Sequence, residues 1–532
     1  MQRLKLALVP ICIGAIFLFV SWFVSYPVSI DSQYDFLYNH FSYLYWIGLV
    51  MLFVSFFVVA MKTNNSSIRW AMAVGTILLM FSQAYFYYLI PGSDNNQFRG
   101  LIEYFLSTGD LSSSNHYHYY FQWPLVFILN KIAIVITGLD LRHFEFILYG
   151  IISSLITSFV YLHVSRVRTN SYVAVVAFFV MLIPIFLFEF LSAFALGLSL
   201  ILLLLYLDNL SGKRAVQLTM LLIFVGISFT HILVPLFFIF YCLFRFVLKR
   251  SRKYLTLFIT TSIIYSLVLV QIPMFVDYLK ALTIPYFLEI SSSLATISTA
   301  NLVAPQPYIS VIASLFSRSA VITTLILSGL GFIFLLKRRK LGTIHYAMLL
   351  TGSLFIVGLL ISPRSYHELS NRSYFLIFIP VSLGASYLCE IKLRKYAKSL
   401  FLILLVLFTF TLIGPTFYDR QIFFQTKAEH QSANFLIDSI NWNSSVSVFS
   451  HFRVDQYLKA KSYSSIVRYG NDLSLSKFPE ELTNYTYVVY TIGIAKTFLA
   501  ANFSVQESFS ELDANYFSLI YNSGNSNYIF SK

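Results

Sequence analysis

Long apolar runs recur along the first three quarters of the chain, separated by short polar gaps. They fall at 5–25, 43–61, 70–90, 143–164, 171–188, 191–207, 215–230, 231–248, 254–273, 319–336, 342–361, 373–390 and 399–416. Most match the roughly 20 residues that carry a helix across a bilayer, so the pattern predicts about thirteen spanning helices. Residues 120–138 depart from it: Asn130 and Lys131 sit at the centre, and no basic cluster follows. This stretch reads as an interfacial or re-entrant helix. The first run ends in Trp22-Phe23 rather than in small residues, which predicts a retained anchor and not a cleaved leader.

The texture changes after residue 416. Ala428 to Ile440 has helical periodicity, Val446 to Phe449 and Tyr485 to Tyr490 read as strands, and two short arms flank Asn522-Ser523-Gly524-Asn525 as a hairpin. The expected architecture is an all-α polytopic membrane domain, 1–416, with large loops at 91–142 and 274–318, followed by a small α/β domain, 417–532.

Composition settles the solvent. With 58% hydrophobic residues, 11% charged and a mean hydropathy of +0.73, the chain has more apolar surface than a water-soluble core can hide, so the lipid bilayer is its expected partner and a cell membrane its location. The net charge of +14 suggests nucleic acid only until it is mapped. Basic clusters occupy alternate gaps: Arg3/Lys5, Lys62/Arg69, Arg166/Arg168, Lys213/Arg214, Lys249 to Lys253, Lys337 to Lys340 and Lys392 to Lys398. The positive-inside rule makes those gaps cytoplasmic, puts the N-terminus inside and the C-terminal domain outside, and removes the case for nucleic acid. The carboxylates fill the other gaps, at Asp31, Asp35, Asp94, Glu103, Asp110, Asp140, Glu145, Glu189, Asp277, Glu289 and Glu368, and only Asp208 and Glu390 join the basic side. Polar chemistry is therefore expected at the outer face. Cys12, Cys242 and Cys389 lie in apolar runs and read as buried thiols with no disulfide or metal role.

Within the first outer loop, Pro91-Gly92 ends a span, Ser93 and Asp94 open a new helix, and Gly109 closes it. Asp94 can serve as a helix cap, as can Ser93, or as a functional carboxylate at the membrane surface. The second loop, with Asp277, Lys280, Glu289 and Pro305/Pro307, suits either a lid or a plain connection.

An Asp just after a membrane helix, a helix ending in Thr108-Gly109, then Trp123-Pro124 before an apolar helix ending in Thr137-Gly138 resemble the first external loop of the GT-C glycosyltransferases, especially the prokaryotic ones. Phe229-Thr230-His231-Ile232-Leu233, Asn371-Arg372-Ser373-Tyr374-Phe375 with Ile379-Pro380, and the terminal Asn/Ser/Gly hairpin fit the same family. The resemblance implies transfer of a sugar from a polyprenyl-phosphate donor to a glycan, lipid or protein acceptor. It implies Asp94 as catalytic base and an arginine, Arg372 with Arg364 nearby, on the donor phosphate; Glu189, His116, His118 and His231 are candidates for the acceptor or a metal. Many relatives carry a His soon after the Asp, where this chain has Asn95, Asn96, Gln97 and Phe98, so a divalent cation is left open. A transporter or flippase of lipid-linked saccharides, a polymerase acting on lipid diphosphates and a non-catalytic scaffold are the competing classes. The scarcity of ionisable residues inside the spans counts against transport.

Overall fold

The structure is a computed structural model that describes residues 2–25, 40–63, 65–80, 93–111, 120–168, 170–186, 193–208, 210, 214–271, 308–338, 341–361, 367–392, 394–417, 427–439, 448–450, 458, 467–469, 487–490, 518–522 and 528–531. The described helices are α1 (Gln2–Ser25), α2 (Tyr43–Lys62), α3 (Ser66–Met80), α4 (Ser93–Thr108), α5 (Leu125–Thr137), α6 (Leu141–Ser165), α7 (Ser171–Phe186) and α8 (Ala193–Asp208). They continue as α9 (Arg214–Ser228), α10 (Val234–Lys249), α11 (Arg252–Val270), α12 (Tyr308–Lys337), α13 (Thr343–Ile361), α14 (His367–Tyr387), α15 (Ala397–Phe417) and α16 (Lys427–Ser439).

Each of the thirteen apolar runs is helical over most of its length. Four helices are individually long and apolar enough to cross a bilayer among the described residues, at Tyr43–Lys62, Leu141–Ser165, Arg252–Val270 and Arg318–Lys337. Their outward faces identify the solvent. α2 buries Tyr45, Leu49, Leu52, Phe56 and Val59 but exposes Ile47, Val50 and Val54, and α11 exposes Ile259, Ile263, Leu267 and Val270. In water such faces would be costly, whereas lipid tails solvate them. α7 behaves differently: every side chain from Tyr172 to Leu182 is buried, which is the signature of a helix enclosed by others on all sides.

Helices pack closely where side chains are small. A Cβ on Gly384 of α14 would run into the Ser328 carbonyl oxygen and the Phe332 backbone nitrogen of α12, and one on Gly331 would strike Gly384 in return. The two backbones touch, as small residues allow between membrane helices.

The basic loops gather at one end of the bundle, and the two isolated carboxylates of that side are neutralised there. Asp208, at the end of α8, accepts from Tyr241 at 2.7 Å and from Lys253 at 2.8 Å, lies 3.1 Å from Arg245, and is bonded by Tyr254 at 3.0 Å. Arg245 also donates to Thr343 at the start of α13 and to the Tyr254 hydroxyl. Glu390, in a π turn (Leu388–Lys392) that follows α14, pairs with Arg168 at 3.2 Å and accepts from the Asn170 amide at 3.1 Å.

One boundary differs from expectation. The second large loop was predicted to run to residue 318, but α12 begins at Tyr308, so 308–318 is helical. After Pro307 no Pro or Gly interrupts Tyr308 to Arg318, and the apolar periodicity of the span continues back through it. The rest of that loop lies outside the described residues.

Among the described residues the tail contains α16 and five strands, β1 (Val448–Ser450), β2 (Val467–Tyr469), β3 (Tyr487–Tyr490), β4 (Ser518–Asn522) and β5 (Tyr528–Ser531), in the sheet order β2-β1-β3-β5-β4. β1 is parallel to β2 and β3, while β4 and β5 form an antiparallel hairpin. Ala433 and Leu436 of α16 pack on Val448, Val489 and Ile529 of the sheet. β2 has no counterpart in the sequence reading.

Candidate functional site at the carboxylate-rich end

At the opposite end of the bundle, α4 and α5 form an appendage seated on the α9–α10 turn. α4 buries Phe98, Leu101, Ile102, Tyr104 and Phe105 and stops at Gly109, whose φ of +73° places it in the left-handed region, with its amide donating to Phe105 O at 2.9 Å. α5 is flanked by Pro124 at its start and by Gly138, φ +67°, at its end. Its 13 residues span about 20 Å, well short of a hydrocarbon core of about 30 Å. Val126, Phe127 and Asn130 face inward while Leu129, Ile132, Val135 and Ile136 are exposed, as expected of a helix lying along a membrane surface. Lys131 lies across α4, its Nζ 4.5 Å from the Phe105 ring centre and 3.4 Å from Phe105 O.

The appendage is anchored on both sides. Phe98 packs against Tyr120 with tilted rings 4.7 Å apart, and the Leu125 amide donates to Phe229 O at 3.1 Å. Arg99 is 2% exposed, and its guanidinium contacts Glu145, in the second turn of α6, through Nε at 3.0 and 3.1 Å and through a terminal nitrogen at 2.6 Å. This buried fork between Arg and carboxylate ties α4 to the bundle. Sequence reading did not single it out, although an arginine on the carboxylate side and a Glu inside the first turns of a span were both visible. Asp140 caps the same helix by accepting from the His143 amide at 2.8 Å.

The candidate residues divide into three groups. His231 is fully described: it is buried, its Nδ1 accepts from the Leu233 amide at 3.1 Å, and the other ring nitrogen therefore carries the hydrogen when the ring is neutral. Its ring lies 5.8 Å from Phe194, which is 6.5 Å from Phe375. For Asp94 and Arg372 the backbone alone is described. Asp94 lies in the first turn of α4, and Arg372 near the start of α14, three residues before Phe375. The aromatic chain His231–Phe194–Phe375 thus brings the α9–α10 turn and the opening of α14 to the same end of the bundle as α4. Glu189, His116, His118 and Arg364 lie outside the described residues. Among the described residues no three His, Cys, Asp or Glu side chains form a group able to hold a metal ion.

No family model matches the chain, and no curated protein does. Solved structures that overlap it over most of its length include two of ArnT from Cupriavidus metallidurans. The apo form is 9% identical, covers 88% of this chain and 98% of its own, and has a TM-score of 0.47. The form bound to undecaprenyl phosphate is 8% identical, covers 91% and 98%, and scores 0.43. At these scores the overlap carries no argument about activity.

Proposed function

We propose that the protein is a membrane glycosyltransferase of GT-C type that moves a sugar from a polyprenyl phosphate to a glycan, lipid or protein acceptor at the outer face. The supporting observation is convergence. The helix opening with Asp94, the turn containing His231 and the start of the helix bearing Arg372 lie toward the end of the bundle opposite the basic loops, which supports this reading.

The chemistry asks for two things. Asp94 takes the proton of the acceptor hydroxyl as its oxygen attacks the anomeric carbon, and the bond from that carbon to the phosphate oxygen breaks. The lipid phosphate leaves with the electron pair, and the guanidinium of Arg372, with Arg364 in support, binds two of its oxygens as the charge develops. Glu189, His116 and His118 remain candidates for holding the acceptor. His231, being packed and hydrogen-bonded to its own turn, shapes the site's wall.

The test is release of polyprenyl phosphate by the purified protein given a panel of polyprenyl-phosphate monosaccharides and native lipid extract. Asp94→Asn keeps the helix-capping capacity and removes the base, so its turnover should fall by roughly two orders of magnitude or more. Glu103→Gln and Asp110→Asn should stay within a few-fold of the parent. A parent that releases no polyprenyl phosphate with any donor refutes the transferase.

A further inference from the structure

The described turn that leads into α5 carries polar atoms that its surroundings leave unmatched. Tyr120 to Gln122 make one 3-10 turn, the Trp123 amide donates to Tyr120 O at 2.9 Å, and Pro124 leads into α5. On one side Phe121 packs against Tyr104, Phe105 and Phe127. On the other Trp123 packs with Ile232, Val268 and Leu269, at the ends of α10 and α11. Inside this apolar wedge, Gln122 Nε2 and Oε1 and Trp123 Nε1 are shut off from solvent and hydrogen-bond to no described residue. Trp123 as a whole is 94% buried, being 6% exposed.

Such atoms are costly. A buried donor or acceptor without a partner destabilises by about 1–3 kcal/mol, and here three fall on two consecutive residues. Leu and Phe would fill the same space with no such penalty, so packing alone does not explain the choice of Gln and Trp. The position does. Tyr120, two residues before Gln122, packs against Phe98, which lies about 6 Å along the α4 axis from Asp94. Trp123 touches Ile232, the neighbour of His231.

We propose that the Gln122–Trp123 turn is a sugar-recognition subsite, which rests on the transferase assignment above. The groups are neutral, and the nearest lysine of α5, Lys131, is held against Phe105, so the turn has the wrong chemistry for a phosphate. A carboxamide that offers one donor edge and one acceptor edge suits two neighbouring hydroxyls, each able to accept and donate, and the indole N–H supplies a donor to a third oxygen. Lipid phosphate and sugar are thereby read by different parts of the site, cationic and neutral.

The experiment measures binding to the full-length protein in nanodiscs of undecaprenyl phosphate carrying one hexose or one pentose, against bare undecaprenyl phosphate. The parent should prefer at least one sugar-bearing lipid by tenfold or more. Gln122→Leu and Trp123→Phe should each remove most of that preference while leaving affinity for the bare lipid within about twofold, because each deletes polar contacts to the sugar alone. Thermal unfolding gives a second readout that needs no activity. Removing the unmatched amide should leave Gln122→Leu at least as stable as the parent, whereas a merely structural glutamine would be missed. Variants that keep the full sugar preference, or a Gln122→Leu protein that melts several degrees lower, overturn the subsite but leave the transferase standing. A parent that binds neither lipid overturns both.

Discussion

Arg99 and Glu145 show what a buried charge requires. Alone, either would have to be desolvated at a cost of several kcal/mol; together their geometry returns most of that, and the pair fixes the orientation of α4 more than it adds net stability. Arg99→Met should therefore destabilise the detergent-solubilised protein by about 3–5 kcal/mol, by leaving Glu145 buried without its partner. Arg99→Met combined with Glu145→Leu should recover most of the loss, as read by thermal unfolding. Two single-variant losses that add fully in the double variant would contradict a direct pair. Arg372 calls for a different comparison. If its fork binds the leaving phosphate, Arg372→Ala should lower donor turnover by more than Arg372→Lys does, by about 2–4 kcal/mol of transition-state stabilisation for the alanine, since lysine keeps the charge and loses only the two-pronged geometry. Near-normal turnover in both variants would reduce Arg372 to an interfacial arginine that snorkels to the membrane surface. At this scale the sequence singled out individual ionisable groups but not their partners. Arg99 and Glu145 are 46 positions apart, and nothing local connects them.

Helices and their contacts were legible to different degrees. Where helices begin and end follows from local chemistry: Gly109 and Gly138 take the left-handed conformation that stops α4 and α5, and Asp140 caps α6. Which helices touch depends on small residues whose meaning is visible only across an interface. Gly384→Val should be strongly destabilising, by at least the 1–3 kcal/mol typical of overpacking, because the clash is with α12 backbone that no rotamer change relieves. Gly329→Val is the control, since a Cβ there meets nothing within 4 Å. Retained folding of Gly384→Val, judged by gel filtration in detergent, would mean that the α12 and α14 backbones are not in contact at Gly384.

For the molecule as a whole, the charge pattern and the packing agree about sidedness by separate routes. Asp208 and Glu390, the exceptions in the sequence pattern, pair with Lys253 and Arg168 of the basic clusters, and Asp208 also with Arg245, buried one turn before the end of α10. The expected orientation puts those loops in the cytoplasm and the C-terminal domain outside. In a background with Cys12, Cys242 and Cys389 replaced, Ser474→Cys should react with an impermeant thiol reagent in intact cells and Ser251→Cys should not. The reverse result would invert the topology and remove the outer-face site with it.

Membrane residence, the helical runs, the side on which carboxylates gather and the character of the tail follow from the sequence by itself. They depend on summed hydropathy, on periodicities of 3.6 and 2, and on local charge, quantities carried by consecutive residues. Tertiary structure alone decided that α7 is enclosed on all sides and that Arg99 reaches Glu145. It also decided that the Gln122–Trp123 turn is wedged between α4 and the ends of α10 and α11 with polar atoms unmatched, and that the openings of α4 and α14 share one end of the bundle. These facts join residues tens to hundreds of positions apart. Only the way helices pack, side chain against side chain, brings such residues within a few ångströms.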